Sequence, residues 1–146
     1  AFGSGSDNEY LPHNYTPNSV VYTGTHDNET LMQYLECTEE HVRNHIREYM
    51  NRPHASNEEL CENLIWMAMS SVGKYCMIPL QDYLGLGKEA RMNYPSTLGH
   101  NWEWRVRKEQ LTHDLAGYIA HMTGLSYRRR IDPPKKEETD EGKAEK

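Results

Sequence analysis

Apolar residues are scarce in this chain. They make up 36% of its 146 positions, phenylalanine occurs once, and the mean hydropathy is −0.92. No apolar run approaches the length that spans a bilayer, and no signal-peptide pattern opens the chain, so the segment reads as soluble, with no membrane partner. Positive charge is also in deficit: 16 Lys and Arg face 22 Asp and Glu, for a net charge of −6. That balance argues against nucleic acid, whose binding begins with a cationic footprint on phosphates. The basic run Arg128-Arg129-Arg130 is soon followed by acidic residues and reads as a solvated helix end. Cysteine is sparse, with Cys37, Cys61 and Cys76 scattered and no C-x-x-C pair. That excludes a disulfide framework and fits reduced thiols in the cytoplasm, and nothing selects one of them as a nucleophile. Strand-like runs are few as well. A chain of this length with so thin an apolar complement needs partners for the faces of its strands.

What is present centres on Val20-Val21-Tyr22-Thr23-Gly24-Thr25-His26-Asp27-Asn28-Glu29-Thr30. A β-branched and aromatic run ends in small residues, and then Leu31, Tyr34 and Leu35 switch to helical spacing. The strand therefore hands over to a helix from about Asn28 to Cys37, with an imidazole and a carboxylate at the junction. The ends of strands in α/β folds are where ligands bind, and this pair suits a hydroxyl-rich or charged ligand. The spacing equally allows Asp27 or Asn28 to be the N-cap of that helix.

Before this junction, residues 1–18 are rich in Gly, Ser, Asn and Pro and read as a loop. After it, Thr38 can cap a second helix with an apolar stripe of Val42, Ile46, Tyr49 and Met50. His41 and His45 lie one turn apart there, but with no third ligand in reach they read as solvent-facing, and no metal or cofactor is expected. Arg52-Pro53 ends that helix. Ser56 and Glu59 form a capping box for the next, which Gly73 ends. Residues 74–80 read as a second strand, with Gln81 and Asp82 at its end. Gly85-Leu86-Gly87 lacks the third glycine of a dinucleotide fingerprint, since position 90 is Ala, and reads as a tight loop. Arg91, Asn93, Tyr94, Asn101, Trp102 and Trp104 are polar and aromatic types of the kind that bind sugars, and on their own they read as a packed surface loop. Thr112 caps a last amphipathic helix carrying Leu115, Ile119 and Met122. From residue 131 the chain is Pro, Lys and Glu with almost no apolar residue, so residues 131–146 are expected to form a disordered charged tail.

The run VVYTGTHDNET resembles the seventh-strand segment of the 4-alpha-glucanotransferases, also called amylomaltases or disproportionating enzymes. The similarity continues in family order through PLQDYLGLG at 79–87, EARMNYP at 89–95 and NWEWR at 101–105, reaching about Tyr127. It implies an α/β fold. Residues 1–130 would be the C-terminal portion of a (β/α)8 barrel, from about the end of strand 6 to strand 8, mostly helical with few strands. The opening Ala1-Phe2-Gly3, without an initiator methionine, fits a piece of a longer protein whose N-terminal remainder would be its partner in the barrel.

The resemblance also implies an activity: transfer of a 1,4-alpha-glucan segment to the 4-position of an acceptor glucose or glucan, with retention. Retention needs a carboxylate nucleophile and a second carboxyl group as acid/base. In the family these are an Asp on the fourth strand and a Glu on the fifth, so both would precede this chain and the fragment alone would be inactive. The family's third acidic residue maps onto Asp27, beside His26, and would hold the hydroxyls of the sugar at the cleavage site. Asn101 and Phe2 would add to substrate binding, although Phe2 reads equally as a buried loop anchor. One departure is His100, where family members commonly carry a small residue before Asn-Trp. Two other readings remain beside this one: an amylase-like alpha-glucan hydrolase fragment, since such hydrolases carry a similar His-Asp pair, and a non-catalytic glucan-binding or scaffold piece.

Overall fold

The computed structural model describes residues 1–129; the charged tail expected at 131–146 lies outside them. Two short strands, β1 (Val20–Tyr22) and β2 (Tyr75–Met77), pair in parallel with Val20 opposite Tyr75, Val21 opposite Cys76 and Tyr22 opposite Met77. A parallel pair needs a crossover, and three helices supply it: α1 (Leu31–Cys37), α2 (Glu40–Tyr49) and α3 (Asn57–Ser70). A single turn, α4 (Leu80–Tyr83), follows β2, and α5 (His113–Leu125) closes the described chain.

Helix α3 is the centre of the packing and touches α1, α4 and α5. Its Leu60, Leu64, Ile65 and Met69 follow at spacings of four, one and four residues, which keeps them on one side of the helix. They meet Leu31, Met32 and Leu35 of α1, Val42 and Ile46 of α2 and Met122 of α5 in one cluster. The opening loop joins this core through Leu11, which is fully buried. The capping box expected for α3 is present: Ser56 N–H donates to Glu59 Oε2 at 2.8 Å and Glu59 N–H to Ser56 Oγ at 3.3 Å. Thr112 caps α5 through Leu115 N–H.

Several boundaries differ from the expectation, each for a local reason. α1 starts at Leu31 rather than near Asn28, because residues 25–28 close on themselves: Asn28 Oδ1 accepts from both N–H and Oγ1 of Thr25. Thr38 ends α1, its N–H donating to Tyr34 O, instead of capping α2. α3 stops at Ser70, and Gly73 has another task. A Cβ there would lie 2.5 Å from Val21 Cγ2, so only glycine lets this turn approach β1 so closely. β2 is shorter than expected, with Pro79 opening α4. Arg128 is not a solvated helix end. Its guanidinium donates to the carbonyls of Met69, Ser71 and Gly73 at 2.6–3.0 Å, satisfying groups that the end of α3 leaves unpaired.

Val21 is the inward residue of β1 and packs beneath the sheet. On the opposite face Val20, Tyr22, Tyr75 and Met77 are 46–57% exposed. Strands with apolar residues on both faces are the pattern of a parallel sheet covered on both sides, and among the described residues one face has no cover.

Candidate active site

The junction after β1 is held at both ends by one carboxylate. Asp82, 3% exposed, accepts from Thr23 Oγ1 at 2.6 Å and from Leu31 N–H at 2.9 Å. Burial raises its pKa above the ordinary carboxylate range, and these two hydrogen bonds pull it part of the way back. The N-cap of α1 is Thr30, whose side chain accepts from Gln33 N–H at 3.2 Å. Neither Asp27 nor Asn28 caps the helix, so that reading of the pair is set aside.

His26 and Asp27 stand at the crest of the junction, their side chains 55% and 49% exposed, with His26 Nε2 3.4 Å from Asp27 Oδ1. The segment after α4 clamps them from one side. Asn93 Nδ2 donates to Asp27 Oδ1 at 2.6 Å, Asn93 N–H to His26 O at 3.1 Å, and Arg91 Nη2 to Asp27 O at 2.8 Å. Arg91 is itself fixed, with its guanidinium 4.4 Å from the Tyr94 ring centre and Nη1 3.6 Å from Glu29 Oε2. Among the described residues nothing donates to Asp27 Oδ2. The carboxylate is therefore oriented by one oxygen, and the other keeps its capacity to accept from a hydroxyl.

The Trp102 ring lies 5.0 Å from that of His26, tilted by 37°. The loop that carries it is unusual: Ser96, Gly99, His100 and Trp102 all have positive φ, between 56° and 81°. A tryptophan there is strained and persists only where its surroundings fix it. Trp102 N–H donates to Met92 O at 2.7 Å, and Asn101 fastens the rest. Asn101 Oδ1 accepts from Tyr94 N–H at 2.8 Å, while its Nδ2 is 3.0 Å from Thr97 Oγ1. Both ends of the Asn101 amide thus serve the loop. His100 at φ 56° occupies the left-handed conformation that glycine adopts most readily.

Phe2 is 7% exposed, and its ring stands edge-on to His45 and Tyr49 of α2 at 6.1 and 5.4 Å. This is the packing of a loop anchor, and Phe2 also lines one of the hollows beside the sheet. His45 Nδ1 meets Phe2 O at 2.8 Å while His41 pairs with Glu39, so the two histidines have separate partners. Among the described residues no three His, Cys, Asp or Glu side chains gather as a metal site, and no helix is long and apolar enough to cross a membrane. Burial, reinforced by Asp82, pushes the Cys61 thiol up to about 12, which keeps it protonated and structural.

Two hollows flank the sheet. One, of about 830 Å³, follows the opening loop and β1 and has Phe2, Tyr10 and Tyr15 in its wall; the other, of about 810 Å³, runs from His26 past Met77 to Arg91. Asp27 lines neither, while its neighbour His26 lines the second. The sequence singled out Asp27, His26, Asn101 and Phe2; the structure brings the first two together and adds Asn93, Arg91 and Trp102 around them. Those three were visible only as members of a polar and aromatic run.

The 4-alpha-glucanotransferase family model matches residues 1–112. A 4-alpha-glucanotransferase of Synechocystis is 42% identical over 132 residues, covering 90% of this chain and 26% of that protein. The chloroplastic/amyloplastic 4-alpha-glucanotransferase of Solanum tuberosum is 43% identical over 106 residues, covering 73% and 18%. Among solved structures, an amylomaltase from Streptococcus agalactiae in complex with acarbose superimposes with a TM-score of 0.81 at 31% identity, covering 88% of this chain and 26% of that one. The chain spans only about a quarter or less of the length of these relatives, and its described residues form a helix-rich piece with two strands. On this extent of match the chain belongs to the 4-alpha-glucanotransferase family.

Proposed function

We propose that residues 1–130 form the C-terminal part of the catalytic barrel of a 4-alpha-glucanotransferase, with β1 and β2 as its seventh and eighth strands. The full-length protein transfers a segment of 1,4-alpha-glucan to the 4-hydroxyl of an acceptor glucose or glucan. In the resembled family the nucleophile Asp and the acid/base Glu stand on the fourth and fifth strands, so in this reading they belong to the remainder of the protein. The nucleophile displaces the glycosidic oxygen, which takes a proton from the acid. The acceptor hydroxyl then gives a proton back to that residue as it attacks the covalent intermediate and frees the nucleophile.

This chain contributes Asp27 and His26. They hold the hydroxyls of the sugar at the cleavage site and bind its flattened, oxocarbenium-like form more tightly than its ground state. The observation that carries this reading is the Asp27 carboxylate, fixed through Oδ1 by Asn93 at the end of a parallel strand, with Oδ2 unoccupied among the described residues. Asn101 supports the pair by shaping the loop that sets Trp102 beside His26, and Phe2 by anchoring the wall of the neighbouring hollow. The free thiols Cys37, Cys61 and Cys76 support a reducing compartment such as the cytoplasm.

Incubating the full-length protein with maltotriose tests the reaction class. Transfer yields glucose together with maltopentaose and longer oligomers, whereas a hydrolase yields only smaller sugars, and a binding or scaffold protein leaves maltotriose unchanged.

A further inference from the structure

We infer that Asp82 is a positioning residue for the His26-Asp27 pair, acting by tying together the two ends of the loop that carries it. The inference rests on the reading above, in which Asp27 holds sugar hydroxyls. Thr23 is the residue directly after β1 and Leu31 the first of α1, and everything between them is the junction that bears the pair. One oxygen of Asp82 takes the hydroxyl at the first end, and the other takes the amide at the second. Asp82 itself belongs to α4, which packs on α3, so the tie is anchored in the core.

At 3% exposure the Asp82 carboxylate is out of reach of a glucan, which leaves it an indirect role. Burying a carboxylate is costly, and hydrophobic residues of similar volume often serve stability as well or better. An ionised acceptor does offer two strong hydrogen bonds with fixed directions from a single side chain, and direction is what a loop bearing reactive groups needs. Within the junction the hydrogen bonds of Thr25 with Asn28 are local and cannot set its position on the scaffold. The tie to Asp82 and the clamp from Arg91 and Asn93 can.

Because Asp82→Asn could unfold the protein, the test uses Thr23. In the full-length protein Thr23→Val removes one hydrogen bond while keeping the shape, and Thr23→Ser keeps the hydroxyl. If the tie positions the pair, Thr23→Val lowers kcat for maltotriose rearrangement by about tenfold or more with KM within about twofold, since ~1 Å misplacements reach about a hundredfold. Thr23→Ser restores kcat to within about twofold, and hydrogen exchange of amides 24–30 quickens in Thr23→Val alone. Normal turnover in Thr23→Val, or equal losses in Thr23→Val and Thr23→Ser, overturns the positioning role and leaves that of Asp27 standing. A wild-type protein that fails to rearrange maltotriose marks instead the failure of the functional reading. The exchange measurement then decides the tie alone, and unaltered exchange in Thr23→Val overturns it.

Discussion

Asp82 makes the pH dependence of stability readable at a single residue. Burial holds its carboxyl above the ordinary 3.8, against the pull of Thr23 and Leu31. The folded state therefore keeps this proton to higher pH than the unfolded chain does. The stability the group contributes is full below 3.8 and is lost as pH rises through the raised folded value. Comparing denaturant unfolding of the wild type and Asp82→Asn across that window should show the difference moving against the wild type as pH rises, then levelling. A difference that moves the other way contradicts this assignment. The role of Asp82 was not legible in the sequence, because its partners lie 59 and 51 positions away. His26 and Asp27 were legible as a pair at a strand end. What separated their two readings was Thr30 taking the cap, a choice that Thr, Asp and Asn side chains alone leave open.

Elements announced themselves where their signals are local. Ser56 with Glu59 and Thr112 with Leu115 were readable because each cap lies within one turn of what it binds. Of the ends that shifted, α1 is set by the closure of residues 25–28 together with Asp82 at Leu31, β2 by the turn that follows at Pro79, and the end of α3 is met by Arg128 from across the chain. Gly73 illustrates the difference. It looked like a helix terminator, yet its lack of a side chain serves the approach to Val21 and Ser19. Gly73→Ala is expected to destabilise the protein by about 1–3 kcal/mol, the usual scale of overpacking a close contact. Thermal unfolding of the full-length protein checks it, and an unchanged midpoint would mean that β1 yields at no cost.

For the molecule as a whole, the low apolar content and the open sheet face tell the same story. Val20, Tyr22, Tyr75 and Met77 stand on the exposed face of the sheet, and their exposure fits a chain matching only about a quarter of its relatives. The sequence carried that expectation through the thinness of its core and through a resemblance spread over several runs. It could not carry the packing of Phe2 or the left-handed loop at 96–102, since both depend on what the rest of the chain places beside them. Asp27 is the residue on which the proposed function turns in the full-length protein. The most direct measurement is the turnover of full-length Asp27→Asn on maltotriose, set beside its melting temperature. If Asp27 binds the sugar more tightly in the transition state, kcat falls by about a hundredfold or more while the fold is retained. A well-folded Asp27→Asn protein with near-normal turnover would contradict it.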